Sequence, residues 1–153
     1  MVLRRNAEDI MDLRLLENHK DIYNNAEIKA IFGLTMFGPT DGKIRSAAES
    51  MYSKQQGLLY VCYENDVAVG VIGLKQYDNT KLELLHLAVK EDSRGQGLGF
   101  KMIQEVLDYT RIPNMEMDAD YKEMKYLKKL GFSVKDMSYT GLDQFMCTYE
   151  DKR

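Results

Sequence analysis

The sequence predicts one α/β domain of the α+β kind, built on a mixed, mostly antiparallel central sheet of six to seven strands flanked by about four helices. Three observations lead there. Leu58–Tyr63 and Val67–Tyr77 are β-rich runs parted only by Glu64-Asn65-Asp66, which reads as a hairpin. From Lys81 onward, strand-like and helical patterns alternate, so crossover connections join the hairpins and the sheet is mixed. No linker divides the 153 residues, a length suited to a single domain over 1–153.

Each element has its own signal. Val2 to Arg5 reads as a short strand. Glu8 to Asn24 reads as a helix, because Ile10, Leu13 and Leu16, with Met11 and Leu15, recur at three- and four-residue spacings. Ala26 to Phe32 continues helically. Gly33, Gly38, Pro39 and Gly42 interrupt it, and Thr40 or Asp41 is placed to cap a helix reaching about Gln56. Its inner face is Ile44, Ala47, Ala48, Met51 and Tyr52. After the hairpin, Lys81 to Val89 is a third strong strand. Ser93 to Gly97 is a loop, and Leu98, Met102, Ile103, Val106 and Leu107 form a helical stripe. Pro113-Asn114 ends that segment and Met115 to Ala119 follows as a strand. Tyr121 to Leu130 is helical, with Met124, Leu127 and Leu130 on one face and Gly131 as its stop. Phe132 to Ser138 and Gln144 to Tyr149 close the chain as two strands around Tyr139-Thr140-Gly141.

Composition narrows the function. An apolar content of 44% supports a packed core. The longest apolar run, Val67 to Leu74, falls far short of the ~20 residues of a membrane helix, so no membrane partner is expected. Glu8, Asp9 and Asp12 stand where a secretory apolar region would lie. Two cysteines in strand-like segments fit a reducing, cytoplasmic setting. A net charge of −3 argues against nucleic acid as the main partner. Two His and two Cys at these spacings make no metal site, and no Gly-x-Ser-x-Gly elbow is present.

The segment that carries chemistry is Arg94-Gly95-Gln96-Gly97-Leu98-Gly99, between a strong strand and an amphipathic helix. Three glycines at alternate positions bring bare backbone to the start of a helix, where outward amides and the dipole favour an anion such as a pyrophosphate. Arg94 adds a fixed charge beside them. The loop lacks the Gly-Lys-Ser/Thr ending of a P-loop. Phe100 stands where a dinucleotide fold has its third glycine, and the loop follows the fourth strand rather than the first. Spacing alone leaves open a glycine turn with no ligand.

Val89 to Gly99 resembles motif A of the GNAT (GCN5-related) superfamily of N-acetyltransferases, whose core is R/Q-x-x-G-x-G/A; Arg94, Gly97 and Gly99 hold its positions. Tyr126-Leu127-Lys128-Lys129-Leu130-Gly131-Phe132 resembles the superfamily's late F-Y-x-K-x-G-F motif. The likeness covers about residues 58–135. It implies a GNAT fold and acetyl-CoA as co-substrate, lying in a splay between Glu83–Val89 and Met115–Ala119. The pantetheine would pair with the backbone of Leu87, Ala88 and Val89, and the pyrophosphate would rest on Arg94, Gly95, Gln96, Gly97, Leu98 and Gly99. The acetyl group would pass directly to an amine, without a covalent enzyme intermediate and without a metal.

An amine must be neutral to attack, and at pH 7 a lysine-like amine is about three pH units below its pKa, roughly 4 kcal/mol of barrier. A base is therefore wanted. Glu83 is the first candidate: Glu83 to Val89 resembles the strand on which nuclear histone acetyltransferases of the superfamily carry their base. Asp118, on the facing strand, is the second. The superfamily's usual general acid is a Tyr where this chain has Leu127; Tyr126 precedes it and is the candidate acid here, with Tyr121 and Tyr139 as alternatives. Strict alternation turns His86 away from Glu83 and Leu85 unless a bulge intervenes, which makes packing its expected role. Lys128-Lys129 is a solvated face or reaches the CoA 3′-phosphate. The acceptor is set by about residues 20–56 and 137–144, which carry no readable motif, and a homodimer is compatible with the chain. Two rival readings follow: a catalytically inactive acyl-CoA-binding regulator, favoured by Leu127, and an interaction domain whose glycine loop is empty.

Overall fold

In a computed structural model that describes residues 2–4, 10–55, 57–138, 141 and 143–151, eight strands share one sheet. The chain runs β1 (Val2–Arg4), β2 (Ile10–Leu15), α1 (Asp21–Asn24), α2 (Ala26–Gly33), α3 (Asp41–Met51), β3 (Leu58–Glu64), β4 (Val67–Gln76), β5 (Lys81–Val89), α4 (Leu98–Thr110), β6 (Asn114–Ala119), α5 (Tyr121–Lys129), β7 (Ser133–Asp136) and β8 (Phe145–Glu150). The sheet order is β1-β2-β3-β4-β5-β6-β8-β7. Every neighbouring pair is antiparallel except β5 and β6, which are joined through α4 and lie parallel.

Local chemistry fixes most boundaries. Asn65 and Asp66 both take positive φ, 51° and 65°, giving β3 and β4 the two-residue turn whose twist suits a hairpin. Thr40 caps α3, accepting from the Lys43 amide at 3.2 Å. Asp120 and Glu123 form a reciprocal capping box at the start of α5. At its end, Gly131 and Phe132 donate back to the carbonyls of Lys128 and Leu127, as a Schellman closure requires. α3 stops at Met51, short of Gln56, because Tyr52 turns into the core and is 7% exposed.

One expectation is corrected. The helix expected over Glu8–Asn24 is a strand from Ile10 to Leu15, followed by helix only from Asp21. The apolar spacing of this short segment suits either period. Pairing with β3, from Met11 opposite Glu64 to Leu15 opposite Tyr60, decides for the strand. Met11 and Leu13 are then buried on one face. On the other, Arg14 bridges Asp12 at 2.6 Å and Asp66 at 3.0 Å. The sheet accordingly gains an eighth strand. Tyr139 and Thr140 of the expected closing turn lie outside the described residues.

The two sheet faces carry separate cores. On one, α4 and α5 cover Leu13, Ile72, Leu84 and Met115, with Met102, Ile103 and Leu127 in contact. On the other, α1 to α3 cover Leu59, Val61, Val71 and Ala88 with Ile22, Phe32 and Ala48. Cys62 and Cys147 are buried free thiols. No described helix is long and apolar enough to cross a membrane.

Candidate active site

β5 and β6 pair only from Lys81 opposite Asn114 to Glu83 opposite Glu116. Beyond that pair the strands diverge, and the backbone edge of Leu87 to Val89 faces a cavity of about 970 Å³. Its far wall is Met117 and the first turns of α5, with Lys122, Glu123, Tyr126 and Leu127; its outer lip is the loop Leu34 to Gly38. Phe37 stands on that lip, 98% exposed.

The glycine loop forms the other end of the cavity. Gly95 and Gly97 have φ of +80° and +76°, a region that L side chains avoid. A Cβ on either would meet no protein atom within 4 Å and would occupy the open cradle instead. Gly97 is also the N-terminal cap of the thirteen-residue α4, so the first amides of that helix are unpaired within it and aim at the same space. These features fit a pyrophosphate. Gly99 differs, since a Cβ there would lie against the Tyr126 hydroxyl. Arg94 is tied to the end of β5, its Nε donating to the Val89 carbonyl at 2.9 Å.

The expected catalytic side chains fall in two groups. Tyr126 lines the cavity with its hydroxyl on Gly99; burial pushes its pKa up and the nearby Arg94 charge pulls it back. Leu127 is a core residue, 2% exposed. Glu83 and Asp118 lie outside the cavity lining, on the sheet face shared with α1 to α3. There Glu83 takes a hydrogen bond from Tyr77, which holds the phenol above its ordinary pKa, with Glu116 and Asp118 adding to the effect. Lys81 bridges Glu116 at 2.9 Å. Glu83 therefore sits at the vertex of the splay, in an acidic patch. Of the loop residues, Gln96 does not line the cavity, whereas Ser93 does. Lys122 lines it, whereas Lys128 and Lys129 do not.

A bulge redirects His86. The β4–β5 register steps from Gly73 opposite His86 to Leu74 opposite Leu84, leaving Leu85 as the extra residue. His86 thus joins the face of Leu85 and Ala88 and enters the cavity lining. Its Nδ1 is 2.6 Å from the Tyr52 hydroxyl, and its ring lies 4.6 Å from that of Phe32. Burial lowers its pKa to about 4, and burial raises that of Tyr52. Neither group is charged at pH 7.

The model of the acetyltransferase (GNAT) family matches residues 25–132. The chain belongs to the GNAT acetyltransferase family. It is 23% identical over 110 residues to an uncharacterized N-acetyltransferase in the lysA 3′ region of Bacillus methanolicus, spanning 70% of this chain and 90% of that protein. Among solved structures of the same fold, Tetrahymena GCN5 superposes with a TM-score of 0.67 at 21% identity, covering 93% of this chain and 98% of the other. A GNAT family acetyltransferase from Elizabethkingia anophelis with acetyl-CoA bound gives 0.63 at 15%, covering 95% and 99%. PaiA N-acetyltransferase from Thermoplasma acidophilum, in complex with coenzyme A, gives 0.62 at 19%, covering 92% and 98%. As a GNAT protein, the chain owes its splay to the parallel β5–β6 pair parting after three residues.

Proposed function

We propose that this GNAT protein transfers the acetyl group of acetyl-CoA directly to a primary amine of a small molecule or protein. The observation that carries the reading is the splay: an unpaired strand edge, Leu87 to Val89, runs along a cavity that ends in the Gly95–Gly97 cradle. A pantetheine arm adds to that edge as an extra strand would, its amides meeting backbone groups of Leu87, Ala88 and Val89. The amides from Gly95 through Gly99 hold the pyrophosphate, and Arg94 adds charge to the same end. Tyr126 belongs with this cradle, because its hydroxyl lies against Gly99. Glu83, at the vertex, receives the proton of the attacking amine directly or through water, and Asp118 is the second carboxylate on that face.

Titration calorimetry with acetyl-CoA, CoA and NAD tests the donor site. Micromolar binding of acetyl-CoA and CoA, with none of NAD, is the expected result; a folded sample that binds neither thiol nucleotide refutes the reading. The buried Leu127, where the family usually has tyrosine, favours a second reading, an acyl-CoA-binding regulator without turnover. Thiol release from acetyl-CoA over a panel of amines separates the two.

A further inference from the structure

His86 is a buried polar side chain, 8% exposed, on a wall of the cavity. A bulge places it there, and bulges commonly re-aim a side chain beside a site. The Tyr52 hydroxyl that meets its Nδ1 rests on Gly73, where any Cβ would come within 1.8 Å of that oxygen. Gly73 is in turn the cross-strand partner of His86. Three elements thus converge on the orientation of one ring.

That convergence sets the proton. Among the described residues, His86 Nδ1 is the hydrogen-bond partner of the Tyr52 hydroxyl. If Nδ1 donated to it, the buried O–H would be left without an acceptor, which is costly. The O–H therefore donates to Nδ1, and the ring proton resides on Nε2. The ring is neutral, because its surroundings disfavour the cation.

The direction of the donor sets what Nε2 meets. The cradle follows the C-terminal end of β5, so a pantetheine arm on this strand runs back from Val89 toward Leu87. Its acyl end comes level with His86 on the cavity wall, three residues before Val89, or roughly 10 Å along the strand, and three residues short of Glu83 at the vertex. We propose that His86, fixed as the Nε2–H tautomer by Tyr52, donates a hydrogen bond to the acyl oxygen of the bound thioester. The inference rests on the acetyl-CoA reading above. As the acceptor nitrogen's lone pair forms the C–N bond, the carbonyl π pair moves onto oxygen, where His86 Nε2–H stabilises it without giving up its proton. When that pair returns, the C–S bond breaks and its electrons leave on sulfur. The proton shed by nitrogen passes through the base to the thiolate. His86 is catalytic in this scheme and Tyr52 is a positioning residue.

With two histidines in the chain, the full-length protein labelled with ¹⁵N suits long-range ¹H–¹⁵N correlation spectroscopy, and His86→Gln assigns the signals. At pH 7 His86 is expected as the neutral Nε2–H tautomer. Acetyl-CoA shifts its Nε2 resonance, and CoA, which lacks the acyl oxygen, does not. A cationic ring, an Nδ1–H tautomer, or equal shifts with both ligands overturns the proposal while leaving the donor site standing. Binding of neither ligand overturns the donor site as well. Kinetically, His86→Leu lowers kcat about 100-fold, with the KM for acetyl-CoA changed less than about threefold. His86→Gln, whose amide NH₂ reaches the Nε2 position, stays within about tenfold of wild type. Tyr52→Phe gives a mixed tautomer in the spectrum and an intermediate kcat. An undiminished kcat in folded His86→Leu also overturns the proposal.

Discussion

Replacing Gly97 by Glu separates the cradle's electrostatics from its backbone strain. Gly97 has φ +76°, and an L side chain in that region costs about 1–2 kcal/mol. For a chain of this length 1 kcal/mol is about 2–4 °C in Tm, so the melting point falls by about 2–8 °C and the protein stays folded. A Cβ at Gly97 meets no protein atom within 4 Å, and Gly97 lines the cavity. A carboxylate about 4 Å from a phosphate charge repels it by about 4 kcal/mol at an effective dielectric constant of 20, close to a thousandfold in affinity. Gly97→Ala carries the same strain without the charge, and its loss should be much smaller. Melting curves and calorimetry with acetyl-CoA at low salt measure the two terms together. Equal affinities for wild type and a folded Gly97→Glu variant would refute the claim that the α4 N-terminus holds the pyrophosphate.

Three further outcomes follow from the geometry. Gly73→Ala drives a Cβ to within 1.8 Å of the Tyr52 hydroxyl, so overpacking by about 1–3 kcal/mol should appear as a lower denaturation midpoint, together with loss of the His86 Nε2–H tautomer signal. Glu83→Gln should lower turnover by about 10²–10⁴ while acetyl-CoA affinity is kept; an unaltered pH–rate profile in that variant transfers the base role to Asp118 or to water. The depressed pKa of His86, about 4 against 6.5 for the free side chain, means the unfolded chain binds the extra proton between those values. Stability conferred by the neutral ring is therefore full above about pH 6.5 and is lost as pH falls toward 4. Lowering the pH from 7 to 5 should cost about 2 kcal/mol through this residue, read as a steeper fall in Tm for wild type than for His86→Gln.

Much of the fold is legible along the chain because its signals are local. Asn65-Asp66 supports positive φ and so dictates the hairpin. Asp120 with Glu123 announces α5, and the alternation of Lys81 to Val89 announces the strand at the centre of the site. The loop Arg94 to Gly99 is legible as bare backbone before an amphipathic helix, and the motif likeness, rather than the spacing, points it to a ligand. Ile10 to Leu15 is the counterexample. Six residues suit two periods equally, and only the hydrogen-bonding edge of β3, some fifty residues downstream, selects the strand. Gly99 shows a subtler limit: its place in the motif suggests ligand approach, while the structure also sets the Tyr126 hydroxyl against it.

The sequence by itself determined the α+β class, the order of most elements, the family likeness and the glycine loop before α4, because turns, caps and periodicities are encoded within a few residues of where they act. The tertiary structure alone decided where β5 and β6 part, which faces Glu83 and Asp118 share, and that Leu34 to Gly38 forms the lip of the cavity. It also decided His86. The side of a strand on which a residue stands depends on every pair before it, and one extra residue at Leu85, visible only against β4, packs that ring against Phe32 and Tyr52 on a wall of the cavity.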